Sequence, residues 1–410
     1  MTPAVIACCL FLQGLTLEVI EHAQAGVAAL QQGRFSLAIQ EFRKVTELQP
    51  ESASGYANLG VAYFQNRQYR EAIPELEHAL RINPNLVGTH QTLGVILLVQ
   101  GNAEGALPHL EKTRAPELLG LAYLETGRLG SAIVALQGAL DRQPNDPDLL
   151  YCFGRATALA SKRTADQLKA IDPNLAYQHA AAGDGDSRSQ RGLVSLQKAL
   201  ADQPDDAGLL LAFSLESARA SRKAFEQVLQ SNADSARAHQ ILAERHVEGG
   251  HLAEAEREYA ESLRLKPYTA NVHLALGGVF AAEGKWPAAV AQFRAETALR
   301  PASPDAFYRL GAIFLQQGQA HDALEEFASA DRVRPDTPQI LLALGKAALA
   351  ANDLARAEAS WKKLLAVEDA SEVASSAHLE LAALYRRAGK MQEADREMAA
   401  YKQLMERARH

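Results

Sequence analysis

The stretch Asn271–Pro301, NVHLALGGVFAAEGKWPAAVAQFRAETALRP, reads as two helices and a tight turn. Leu276, Gly277 and Phe280 fall on one face of the first helix. Gly284 is placed to stop it, because glycine enters the left-handed cap conformation without a Cβ clash. Pro287 suits the first turn of the next helix, where its missing N–H is not needed. Ala289, Phe293 and Thr297 then recur four apart on one face, and Pro301 ends the second helix.

Outward from this stretch the same marks return. Gly26, Gly60 and Gly94 are 34 apart, as are Ala38, Ala72 and Ala106, and Pro50 and Pro84. Later, Gly277, Gly311 and Gly345 keep the same step, with Ala255, Ala289, Ala323 and Ala357, and with Pro267, Pro301 and Pro335. Three residue types held to one period in two blocks signal a repeat array. The blocks are out of phase, since Gly26 and Gly277 are 251 residues apart, not a multiple of 34.

The period and the residues it fixes resemble the tetratricopeptide repeat (TPR) family. Residues 53 to 86 match its pattern with Tyr56, Leu59, Gly60, Tyr63, Tyr69, Ala72, Leu76, Ala79 and Pro84. Residues 304 to 337 match with Phe307, Leu310, Gly311, Phe314, Gly318, Ala323, Phe327, Ala330 and Pro335. The physical reasons fit the residues. Glycine on the first helix of each repeat (helix A) lets the second (helix B) approach closely, and the facing alanine does the same. Aromatics fill the space between repeats, each worth about 1.5–3 kcal/mol when buried. The resemblance implies an all-α, right-handed superhelical solenoid of antiparallel helix pairs, with about eleven or twelve hairpins.

Four segments follow. Residues 1–18 are an apolar N-terminal segment. Residues 19–146 form a first TPR block with repeats at 19–52, 53–86, 87–112 and 113–146. Gly94 to Gly120 is only 26 residues, so helix B of the third repeat is clipped and is expected to end near Lys112–Pro116. Residues 147–235 lose the period and read as degenerate repeats: a shortened one around Gly154, then helical runs at Ser189–Asp202, Ala207–Ala218 and Ser221–Gln230. Residues 236–410 form the second block, with a charged C-terminal capping helix over Glu393–Arg409.

Composition narrows the function. The net charge is -7 and no stretch is strongly basic, which argues against a nucleic-acid binder. The three cysteines, Cys8, Cys9 and Cys152, make no CxxC pair, so neither a zinc knuckle nor a disulfide framework is expected. Cys152 reads as a small core residue. The apolar run Pro3–Leu12 is too short to span a bilayer. It reads either as a cap on the first repeat of a cytoplasmic protein or as a signal-peptide core with cleavage after Ala25; the first reading is preferred because no Lys or Arg precedes the run.

Little suggests chemistry. His22, His90, His239, His273 and His378 share one repeat position, which points to inter-repeat packing. His246 and His251 are five apart, not the spacing of a helical metal pair. His-Glu-x-x-His, Gly-x-Ser-x-Gly and a phosphate loop are absent. Gly183-Asp184-Gly185-Asp186 is a loop rather than a calcium site, because Ser195 stands where such a site needs a bidentate Glu. Trp286 and Trp361 sit at packing positions of helix B. No enzyme activity, cofactor, metal or small-molecule substrate is expected.

What remains is surface. In the TPR family set positions on helix A line a concave groove. Those positions here place Ile20, Ala23, Val27, Leu30, Ala57, Val61, Phe64, Val95, Leu98, Leu121 and Leu124 along the first block. They place Leu274, Tyr308, Leu315, Leu342 and Leu349 along the second, among Arg237, Gln240, Glu244, Asp305, Lys346 and Arg386. Apolar stripes of this size mark interaction sites. The resemblance therefore implies a protein–protein interaction scaffold that takes an extended peptide or amphipathic helix in the groove. Two alternatives are an exported envelope-assembly role and an enzyme site within the irregular middle. The family's clamp for chaperone C-terminal carboxylates needs Lys and Asn where Ala23 and Val27 stand, so it is not carried over. The asparagine ladder of the O-GlcNAc transferase superhelix survives only at Asn58.

Overall fold

The computed structural model describes residues 17–113, 115–173 and 191–407. Among them are twenty-one helices and no strand. The N-terminal apolar run and the Gly183–Asp186 loop lie outside the described residues. The chain divides into two compact units, one ending at Ala238 and one beginning at His239.

The first unit opens with helix pairs Leu17–Gln31/Phe35–Leu48, Ala53–Gln65/Tyr69–Ile82, Val87–Val99/Ala103–Leu110 and Pro116–Glu125/Leu129–Leu140. Helix B of the third pair is indeed clipped, to eight residues. In the second unit helix Leu252–Leu265 begins a series continued by Val272–Ala282/Trp286–Leu299, Pro304–Gln316/Ala320–Val333, Pro338–Ala350/Leu354–Val367 and Glu372–Arg387/Met391–Arg407.

One contact recurs in seven of these eight pairs, all but the last. A Cβ added to Gly60 would lie 2.5 Å from Leu76 Cγ, and one added to Gly277 would lie 2.6 Å from Phe293 Cε1. Gly26 with Phe42, Gly94 with Leu110, Gly120 with Leu136, Gly311 with Phe327 and Gly345 with Trp361 repeat the arrangement, always 16 residues apart. The large side chains fill the space that the glycines leave; Phe42, Leu76, Phe293, Phe327 and Trp361 are all fully buried. Trp361 also donates its indole N–H to the Leu342 carbonyl at 3.3 Å. Trp286 packs half-buried against the same cluster, so both tryptophans serve packing.

Turn chemistry is equally regular. Helix A stops at a left-handed residue seven positions after the repeat glycine or the alanine that replaces it. Gly33, Gly101, Gly127, Gly250, Gly284, Gly318 and Gly389 have positive φ, as do Arg67 (φ 61) and Asn352 (φ 62). At Gly284 the turn closes through Lys285 N–H to Phe280 O at 2.8 Å.

The middle departs from the expectation of degenerate hairpins. Asp148–Lys169 is no short repeat but part of one 25-residue helix, Pro147–Ile171. The runs Ala207–Ala218 and Ser221–Gln230 are one helix, Ala207–Ser231, also of 25 residues. The left-handed slot after Gly154 is occupied by Ser161, and the helix continues through it. Ser217 and Ser221, on either side of the expected break between those runs, are buried small residues of an unbroken helix. Ser214 donates to the Ser161 carbonyl at 2.9 Å.

These two helices form a repeat with an interruption. A Cβ on Gly154 would lie 2.6 Å from Phe225 Cε1, the same glycine-to-ring contact as elsewhere. Gly154 and Phe225 are 71 residues apart where the other pairs are 16 apart, so 55 residues are inserted between helix A and helix B. Both helices run on past the ordinary turn into this insertion, which also carries helix Arg191–Asp202. The phase slip is thereby explained. From Gly26 to Gly277 there are six steps, four of 34, one of 26 at the clipped repeat and one of 89 from Gly154 to Ala243. Among the described residues there are ten repeats in this register, not eleven or twelve.

Candidate functional site

The helix A positions of the first unit form a row of half-buried apolar side chains, and their backbones are held by the glycine contacts beneath them. Leu30 and Phe64 pack partly against the core of the first two repeats, and Leu121 against that of the third and fourth. Val61, Val95 and Leu124 are half-buried, and Val27 is 36% exposed. Leu98 must be removed from the row. It is 7% exposed and belongs to the core with Ala103, Ala106, Leu107 and Leu110.

The row continues where the sequence did not show it. Asp148, Tyr151 and Arg155 occupy the same helix A positions in the interrupted repeat. Tyr151 is buried, with the Arg237 guanidinium 4.5 Å above its ring and that of Arg155 at 5.9 Å. Arg237 Nε donates to Asp148 Oδ1 at 2.7 Å. The 34-residue step from Gly120 to Gly154 was the signal that places these three residues. The row thus passes from apolar to charged and aromatic. Cys152, beside this cluster, is buried, and burial pushes its thiol up to about 11, which leaves it inert as a nucleophile at neutral pH.

In the second unit Leu274, Tyr308, Leu315, Leu342 and Leu349 are half-buried and pack partly against its core. The Tyr308 ring meets Phe327 edge-on at 5.4 Å. Asp305, Lys346 and Arg386 are exposed, and Lys346 lies 3.6 Å from Glu380. Gln240 is buried and donates to Glu244 at 3.0 Å.

The five histidines at one repeat position each have a defined partner 19 residues on, in helix B of the same repeat. Nδ1 meets Glu41 from His22 at 2.7 Å, His109 from His90 at 2.8 Å, Glu258 from His239 at 2.7 Å, Gln292 from His273 at 2.7 Å and Glu397 from His378 at 2.6 Å. The histidine thus ties helix A to helix B. Where Tyr56 or Phe307 replaces it, the facing Glu75 or Glu326 lacks this bond, and burial raises its carboxyl above the usual range. His246 and His251 stand 6.0 Å apart, ring to ring. No cluster of metal-ligating side chains occurs among the described residues, and no helix there is long and apolar enough to cross a membrane.

Three family models match the chain. A tetratricopeptide repeat model covers residues 24–86 and 342–403, a TPR repeat model 277–318, and another tetratricopeptide repeat model 117–146. The chain is a tetratricopeptide repeat protein. No curated protein matches it. Solved structures similar to this TPR chain include MamA from Desulfovibrio magneticus RS-1, at 22% identity over 42% of this chain and 96% of that one, TM-score 0.40. YrrB, described as a TPR protein with an unusual peptide-binding site, aligns at 16% identity over 44% of this chain and 91% of its own, TM-score 0.39. Yeast Tom70 aligns at 11% identity over 94% and 92%, TM-score 0.39. The interrupted repeat falls outside all the segments the family models match.

Proposed function

We propose that this TPR protein is a non-enzymatic scaffold that binds an extended peptide or amphipathic helix of a partner protein along the helix A row of its first unit. The observation that carries this reading is the recurrence of half-exposed Val27, Val61 and Val95 at one position of three successive repeats. Successive helices there offer apolar area at a regular spacing, which suits a ligand whose side chains recur along one face. Asp148, Arg155 and Arg237 at the end of the row would set the ligand's direction by charge.

The test is a triple variant, Val27→Asp, Val61→Asp and Val95→Asp, used as bait in affinity capture from the native host beside the parent protein. These side chains already touch solvent, so helicity is expected to persist. Burying a valine side chain is worth up to about 1.5 kcal/mol, so losing three is expected to lower partner recovery more than tenfold. Unchanged recovery with intact circular dichroism would remove this row as the site.

A further inference from the structure

The interrupted repeat borders an open cavity of about 410 Å³. One side is the turn and first residues of helix Leu129–Leu140. The others are the prolonged part of Pro147–Ile171, helix Arg191–Asp202 and the start of Ala207–Ser231. Its size lies within the range of small-ligand sites. Its inner wall is apolar, with Leu129, Leu200, Leu210 and Phe213; the last two are almost fully buried. Its polar lining includes Arg128, Arg163, Gln167 and Gln197, with no Asp or Glu among the described residues. Arg128 is held by Glu104, outside the lining, at 3.0 Å. Arg163 is exposed at the cavity and forms no ion pair among the described residues.

From this lining we infer that the cavity binds a carboxylate carried on a compact apolar body. The anion meets Arg163 at the mouth, where a guanidinium offers two parallel donors to a carboxylate. The Gln167 amide lies beside it, and the apolar body displaces water from the leucine and phenylalanine wall. A mouth carrying the Arg163 cation disfavours a cationic ligand, and the apolar wall disfavours a bare inorganic anion. Two sources share the chemistry, a free monocarboxylic acid and the C-terminal residue of a peptide ending in a large apolar side chain. The site is separate from the helix A row and stands without the reading given for that row.

The full chain is titrated calorimetrically with 3-phenylpropionate, its uncharged amide 3-phenylpropionamide, and N-acetyl-leucyl-phenylalanine with a free carboxylate. Saturable one-to-one binding of at least one acid is expected, with the amide at least tenfold weaker. Tighter binding of the peptide acid assigns the peptide source; tighter binding of 3-phenylpropionate assigns the free acid. Arg163→Gln, an exposed substitution that leaves the fold alone, is expected to weaken the acids about tenfold. Leu200→Glu, checked for retained helicity, is expected to abolish binding by placing a like charge in the wall. Three results would each overturn the inference: no saturation by either acid at millimolar concentration, equal affinity for acid and amide, or acid affinity unchanged in Arg163→Gln.

Discussion

Helices Ala53–Gln65 and Tyr69–Ile82 meet through Gly60 and Leu76; helices Pro147–Ile171 and Ala207–Ser231 meet through Gly154 and Phe225. The first pair closes over 16 residues and the second over 71, yet in both a large side chain sits where a Cβ is missing. The repeat is therefore defined by this contact rather than by chain spacing. Spacing is a by-product of a short turn, and it disappears when the turn is replaced by 55 inserted residues.

The largest expected effect comes from emptying the contact in both pairs. Leu76→Ala, at a fully buried side chain, is expected to destabilise by about 2–5 kcal/mol. Phe225 is half-buried, so Phe225→Ala is expected to cost about 2–3 kcal/mol, below the range for a fully buried Phe. Amide hydrogen exchange reads each locally. If exchange in Pro147–Ile171 is unchanged by Phe225→Ala, the two helices do not form a repeat and the equivalence fails.

A smaller effect is expected at the turn that the two pairs do not share. Arg67 holds a left-handed conformation, which an L-residue adopts at about 1–2 kcal/mol. Glycine removes that strain but loses more chain entropy on folding. Arg67→Gly is therefore expected to stabilise the first unit by about 0.5–1 kcal/mol in urea denaturation. Asn352→Gly gains less, since asparagine tolerates this region. A destabilised Arg67→Gly would mean that the Arg67 side chain, and not its backbone, sets the turn.

The smallest effect on the remaining helices is expected from removing the interruption. Residues 160–217 are excised and replaced by the turn sequence of Thr126–Arg128, which joins helix A directly to helix B in the ordinary register. Helicity in the other repeats is expected to stay within about 0.5 kcal/mol of its original exchange protection. Loss of structure beyond the excised segment would show that the insertion supports the repeats rather than hanging from one of them.

Most of the hairpins were legible because glycine, alanine and proline mark partners close in sequence. Gly94 and Gly120 even revealed the clipped helix. The interrupted repeat was not legible, because Gly154 finds its partner far beyond any period. The expected break between Ala218 and Ser221 does not occur, and Ser214, Ser217 and Ser221 are small faces of one helix. The helix A row was legible as positions but not as exposure. Leu98 carries the pattern of a groove residue, and only the packing of Leu107 and Leu110 over it shows that it is core. The histidine position was read as packing. Its partner, 19 residues on, was visible in the pairs His22/Glu41, His239/Glu258 and His378/Glu397, and shows a polar tie between the two helices.

The left-handed turn after helix A has a consequence for how such chains lengthen. Loop-closure entropy grows only with the logarithm of loop length, so closing over 71 residues instead of 16 adds only about 1 kcal/mol. An insertion inside either helix would cut its hydrogen-bond ladder and move one wall of the buried contact. At the turn it does neither. Losing the stop at Ser161 turns a three-residue bend into a port through which new sequence enters the array, while the glycine and the ring behind it stay in register.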